Sequence, residues 1–227
     1  MKGIPGWRFD KIKDPSFQFI EESHEYLLNG ERLWSPTSAF KQVRWVDDTY
    51  YTDEHRYRGQ YVHWIRRLDD ENDLDIKDVA PEYLGFLEAY YAVKALWKIV
   101  PRMGERPLYH PDLRYGVTPD SECLILDGDP AIVEYKSGEP GSGPPPWWTA
   151  IQTLSQELAV SAFDPIGRII VRRRVGVKLF RNGKFKAVEY TDYDTDFHKW
   201  LQCLGTCKAP PGARGLPPRK QAITASL

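Results

Sequence analysis

The sequence predicts an α/β fold: a mixed central sheet flanked by helices, with an accessory antiparallel hairpin near the N-terminus. Stretches of helical apolar period at residues 53–68, 81–97, 147–162 and 193–207 alternate with short strand-like runs at 121–126, 131–135, 167–173, 175–180 and 185–190. Tight-turn sequences, Asp127-Gly128-Asp129 and Asn182-Gly183, join consecutive runs in the manner of hairpins. A chain of 227 residues, 41% hydrophobic, can bury one sizeable core, so residues 1–207 read as one domain.

Residues 17–20 and 24–28 are strand-like, Asn29-Gly30 is a strong hairpin turn, and residues 31–34 return, which makes 17–34 the accessory hairpin. Ser35 to Ser38 offer caps for a short helix, and Asp53 and Glu54 place negative charge at the N-terminal turn of helix 53–68. The acidic stretch 69–75 reads as a solvated loop. It is not a calcium-binding loop, because Leu74 stands where the sharp turn needs glycine and Ala80 where the closing glutamate belongs. Pro81 suits a first helical turn, and Leu84, Leu87, Tyr91 and Ala95 form the apolar stripe behind it. Residues 137–146 form a Gly/Pro-rich loop, and the proline-containing, apolar-poor segment 208–227 predicts a mobile tail.

Charge and cysteine usage bound the function only loosely. The 31 Lys+Arg and 32 Asp+Glu cancel to −1, which gives no support to a wholesale basic coat for nucleic acid and leaves room for a local basic groove. No stretch approaches the ~20 consecutive apolar residues of a membrane span, and the first residues lack the apolar core of a secretory signal. Cys123, Cys203 and Cys207, an odd number, argue against a disulfide framework. Together these features predict a cytoplasmic protein with no membrane partner.

The chemically informative region runs from Tyr115 to Lys136. Asp120 lies at the edge of one predicted strand, and Glu134-Tyr135-Lys136 lies near the end of the next. Side chains alternate along a strand, so Glu134 and Lys136 share a face while Tyr135 takes the other. Two carboxylates and an ammonium can therefore converge. Carboxylate oxygens suit Mg²⁺ or Mn²⁺, and a lysine nearby can orient or deprotonate an attacking water.

Pro119-Asp120 followed by Glu134-Tyr135-Lys136 resembles the PD-(D/E)xK nuclease superfamily. With Arg58 to His63 on the preceding helix and Gln152 on the following one, the order resembles its RecB-type branch, which includes phage exonucleases. The resemblance spans roughly residues 17–205. It implies a restriction-endonuclease-like fold and a metal-dependent deoxyribonuclease in which His63, Asp120, Glu134 and the backbone carbonyl of Tyr135 hold Mg²⁺ or Mn²⁺. Catalysis would then fall to Asp120, Glu134, Lys136 and Gln152. Gln156 stands where that branch carries a tyrosine. Some relatives hold an iron–sulfur cluster on four cysteines; with three in the chain, none is expected. The implied partners are DNA and a phage recombination or replication protein.

DNA contacts are expected from Arg58 and Arg66 on the histidine-bearing helix, from the run Arg172-Arg173-Arg174, and from Trp147 and Trp148 beside the Glu-x-Lys strand. The two tryptophans serve equally well as anchors of the Gly/Pro loop. Glu105 reads as an exposed acid, although it could point into the same cavity. Gly59 costs a helix about 1 kcal/mol relative to alanine, which suggests close packing or close backbone approach.

Overall fold

The computed structural model describes residues 14–47, 49, 51–126, 128–163 and 172–207. Three strands, β1 (Phe17–Ile20), β2 (Glu25–Leu28) and β3 (Glu31–Arg32), form a small antiparallel sheet, with Asn29 (φ 54°) and Gly30 (φ 75°) in the expected left-handed turn. Helix α1 (Pro36–Gln42) follows a Ser35 cap. Helix α2 (Asp53–Glu71) is capped by Thr52 and stopped by Asn72 in the left-handed region. A short 3₁₀ turn at Pro81–Tyr83 leads into α3 (Leu84–Leu96).

The central sheet is built from β4 (Val100–Gly104), β7 (Ser121–Ile125), β8 (Asp129–Gly138), β9 (Arg173–Phe180) and β10 (Phe185–Glu189), in the order β10-β9-β8-β7-β4. The pair β8–β9 is parallel and the other pairs are antiparallel, so the sheet is mixed. A parallel pair needs a long crossover, and α4 (Thr149–Ala162) lies within it. A separate ribbon, β5 (Leu108–His110) with β6 (Tyr115–Val117), precedes β7, and α5 (Tyr193–Thr206) follows β10.

Two apolar cores sandwich the sheet. One gathers Val62, Ile65, Phe86, Tyr90, Val133, Tyr135 and Val177 under α2 and α3; the other gathers Phe40, Ile132, Ile151, Leu154 and Trp200 under α1, α4 and α5. The N-terminal sheet has its own small cluster around Tyr26, Leu28, Leu33 and Tyr109. It is not an independent appendage. Tyr26 is buried, donates to or accepts from Thr118 Oγ1 at 2.8 Å, and packs so closely on Gly116 that a Cβ there would fall 2.1 Å from its ring.

Several expectations are corrected. The short strands β4, β5 and β6 escape periodicity because they span three to five residues, and Pro101 sits in β4, where an edge strand tolerates it. The acidic stretch 69–75 is not a wholly solvated loop: Asp69 to Glu71 complete α2, and Asp70 is paired with Arg66 (3.1 Å) and Lys94 (3.2 Å). Of the expected strand 167–173, only its last two residues fall among the described ones, and Arg173 begins β9. The segment 208–227 lies outside the described residues. No helix among the described residues is long and apolar enough to cross a membrane.

Gly85 shows how tightly α3 seats on the β9–β10 turn, since a Cβ there would meet the Arg181 carbonyl oxygen at 1.8 Å. Backbone cannot yield as a flexible side chain does. Gly85→Ala is therefore expected to destabilise the protein by about 1–3 kcal/mol. Urea unfolding should show a lowered midpoint with an unchanged slope; an unaltered midpoint would contradict the packing.

Candidate active site

The site forms where the two layers meet at the end of β8. Asp120 immediately precedes β7, and strand pairing sets Ser121 opposite Val133, which brings Asp120 beside Glu134 and Tyr135. Its carboxylate accepts a hydrogen bond from the Tyr135 backbone N–H (2.8 Å) and lies 3.4 Å from Nδ1 of His63 on α2. Alternation along β8 turns Tyr135 into the α2/α3 core, and Glu134 and Lys136 toward α4.

Glu134 is 2% exposed and held by three donors. Lys136 Nζ reaches Oε1 at 2.6 Å, Gln152 Nε2 donates to the same oxygen at 2.7 Å, and Gln156 Nε2 donates to Oε2 at 2.6 Å. Lys136 also donates to Gln152 Oε1 (3.0 Å). One helical turn separates the two glutamines, so the face of α4 turned to β8 grips both oxygens.

Burial pushes the carboxyls of Asp120 and Glu134 above the usual range; for Asp120 the opposing pull comes from Arg66 and Lys136, and for Glu134 the Asp120 charge adds to the push. Burial, followed by the Arg66 guanidinium, holds His63 down at about 4. It is therefore a neutral imidazole at neutral pH, as a ligand must be.

Among the described residues, no group of three or more His, Cys, Asp or Glu side chains is close enough to hold a metal ion unaided. The chemistry of the donors nevertheless fits a hard divalent cation. His63 is neutral, the Asp120 carboxylate adjoins it and the Tyr135 N–H, and the two buried carboxylates carry charge that burial penalises and a cation would offset.

A cleft of about 370 Å³ opens from this edge between α1, α2 and the start of α4. His63 and Lys136 are part of its wall. Trp148 lines it as well, with its ring 4.9 Å from Lys136 Nζ and 5.9 Å from the ring of Phe40, so this tryptophan is both anchor and lining. Trp147 is 54% exposed, with its ring 5.1 Å from that of Trp45.

The expected DNA-binding arginines divide sharply. Arg58 lines the cleft, paired with Glu139 at 2.6 Å. Arg66 is buried instead. It donates to the Asp120 carbonyl (2.9 Å), pairs with Asp70, and lies 4.6 Å from the Tyr135 ring, so it positions the site from behind and cannot meet DNA. Arg172 and Arg174 are likewise buried, donating to Ser161 (2.8 Å) and Asp196 (2.9 Å). Arg173 makes a two-pronged pair with Glu189, both contacts 2.6 Å. These three are structural because their acidic or polar partners, distant in sequence, meet them across the sheet and α4.

Other residues gain roles that their sequence context did not show. Gln156 grips Glu134, and Glu105 is no free acid, meeting Arg66 at 3.5 Å and Arg67 at 3.2 Å. Nothing outside its own helix backbone lies within 4 Å of a Cβ built on Gly59, which removes close packing as its reason and leaves its place in the cleft wall. Lys41 of α1 also lines the cleft, and no motif marks it.

No protein-family model matches the chain, and no curated protein matches it.

Gln156→Leu would leave Glu134 Oε2 buried without its donor, and it is expected to cost about 1–3 kcal/mol of stability in urea unfolding. In a Glu134→Gln background the loss should shrink, because the buried charge is gone; equal losses in both backgrounds would refute the coupling. His63, with a folded-state value of about 4 against an ordinary 6.5, predicts that stability is lost as pH falls from 6.5 toward 4 in the absence of divalent ions, since only the unfolded chain takes up that proton. An NMR titration of the His63 ring should show no midpoint near 6.5.

Proposed function

We propose that the protein is a metal-dependent deoxyribonuclease of the restriction-endonuclease-like kind, related to the RecB-type PD-(D/E)xK enzymes, and that it acts as an exonuclease on DNA ends. The observation that supports this best is the meeting of His63, Asp120, Glu134 and Lys136, drawn from α2, the β7 edge and β8, beside an open cleft. A chance match of short motifs gives no reason for residues 57 positions apart in the chain to lie 3.4 Å apart, as His63 and Asp120 do. The setting consistent with this chemistry is the cytoplasm, the host's if the chain is phage-encoded, with a recombination or replication protein as partner.

His63, Asp120, Glu134 and the Tyr135 carbonyl would hold Mg²⁺ or Mn²⁺. Such an ion, when bound, supplies Lewis-acid polarisation of the phosphoryl group and a water that is nucleophilic at neutral pH. The chain's own residues do the remaining work. The Tyr135 N–H and Arg66 fix Asp120 from two sides, one at the carboxylate and one at the backbone carbonyl. Gln152 and Gln156 orient Glu134. Lys136, 22% exposed at the cleft wall, orients the attacking water and offsets negative charge growing on the phosphate oxygens. Water oxygen bonds to phosphorus and gives up a proton, the bond to the leaving oxygen breaks, and that oxygen takes up a proton in its place.

One observation favours a second reading. Both oxygens of Glu134 are already satisfied by Lys136, Gln152 and Gln156, an arrangement that suits a catalytically weak DNA-end-binding module.

Titration of Mg²⁺ or Mn²⁺ against linear and closed circular DNA separates these readings. Linear DNA should be degraded and closed circles spared, with Lys136→Ala and Asp120→Ala each lowering kcat by about 100-fold or more. Cutting of closed circles would make the enzyme an endonuclease. Binding without turnover would favour the end-binding module, and equal activity in the variants would remove the assigned site.

A further inference from the structure

The cleft beside the site has a composition the rest of the chain does not share. In a protein with nearly equal numbers of acids and bases, Lys41, Arg56, Arg58, Lys136 and Lys178 line it, and no Asp or Glu among the described residues does. Four elements and both layers contribute these cations, so the concentration arises from the tertiary fold and not from a run of basic residues. Lys136 and Lys178 are direct cross-strand partners on β8 and β9. Lys136 is already paired with Glu134 and Arg58 with Glu139, each at 2.6 Å, whereas Lys178 feels the positive charges of Lys186 and Arg58, a repulsion that an anion beside it relieves. The cleft also offers an aromatic surface, the Trp148 ring.

Gly59 gives the cleft its width. It sits in the second turn of α2, where glycine weakens a helix relative to alanine, yet no atom outside its own helix backbone lies within 4 Å of the position its Cβ would take. Packing provides no reason for it. What the missing side chain leaves is space in the cleft wall, one helical turn before His63.

We infer that this cleft is a seat for one unpaired nucleotide of a DNA strand, with its base against the Trp148 side, its flanking phosphates near Arg58 and Lys178, and Gly59 setting the size of the seat. The inference rests on the nuclease reading for its direction, since the strand so placed leads to Lys136. A site of about 370 Å³ lies at the small end of the range, about 300–1,000 Å³, that accepts compact ligands. One nucleotide fits that space. Cations along a backbone track together with a ring for stacking form the usual recognition surface for a single strand.

The test is fluorescence anisotropy on the full chain in EDTA, with labelled oligothymidylate and a labelled blunt hairpin duplex as probes. Oligothymidylate should bind about tenfold or more tightly than the duplex. Gly59→Leu should weaken oligothymidylate binding about tenfold without lowering the thermal midpoint, and leave duplex binding within about twofold. Lys178→Ala should weaken binding and reduce the salt dependence by about one phosphate contact. Equal binding of the two probes by the native protein, wild-type affinity in Gly59→Leu, or wild-type affinity in Lys178→Ala would each overturn the inference. The readout does not involve cleavage. Preferential binding of the single strand with no cleavage in Mg²⁺ or Mn²⁺ would overturn the nuclease reading alone, and cleavage without that preference would overturn the nucleotide seat alone.

Discussion

The buried guanidinium of Arg66 is the interaction on which the candidate site depends. A cation that is 1% exposed is unfavourable unless its surroundings compensate it, and here compensation comes from Asp70 on its own helix, Glu105 before β5, the Asp120 carbonyl and the face of Tyr135. Each partner belongs to a different part of the fold. The docking of α2 that makes all four contacts also places His63, one turn earlier, against the Asp120 carboxylate. The same contact reaches the site twice over, since Tyr135 presents its ring to Arg66 and its N–H to Asp120.

Glu134 is fixed from the opposite layer. Its two oxygens face α4, where the buried polar positions Gln152 and Gln156 stand beside the apolar Ile151 and Leu154. Buried polar groups of this kind are tolerable only when satisfied, and these two glutamines satisfy the carboxylate while leaving Lys136 at the cleft wall. The site is thus a seam between two independently packed cores, with the sheet supplying Asp120 and Glu134, and the helices on either side holding them in place.

Much of this was legible because it is local. Strand alternation places Glu134 and Lys136 on one face, and the order of His63, Asp120, Glu134-Tyr135-Lys136 and Gln152 along the chain corresponds to residues that meet. What the sequence could not convey is which charges are internal. Arg66, Arg172 and Arg174 look like surface arginines because the partners that bury them, Asp70 aside, lie across the sheet or on another helix. Glu105 fails for the same reason. The short strands Val100–Gly104, Leu108–His110 and Tyr115–Val117 fail for another: three to five residues carry too little period, and pairing defines them. The near-zero net charge likewise concealed a basic cleft, because Lys41, Arg58 and Lys178 are collected from three separate elements.

The parallel pairing of β8 with β9 sets the order in which the site can come into being. Until residues 173–180 have crossed over by way of α4, Glu134 and Lys136 lie on an exposed sheet edge, with neither Gly176 nor Lys178 alongside them. Non-local pairing of this sort is slow relative to the hairpins that precede it, and a chain emerging from the ribosome completes its N-terminal parts first. The constellation is therefore assembled only after residue 180 has been made, so that a growing or truncated polypeptide carries all the acidic groups of the site without the geometry that makes them useful.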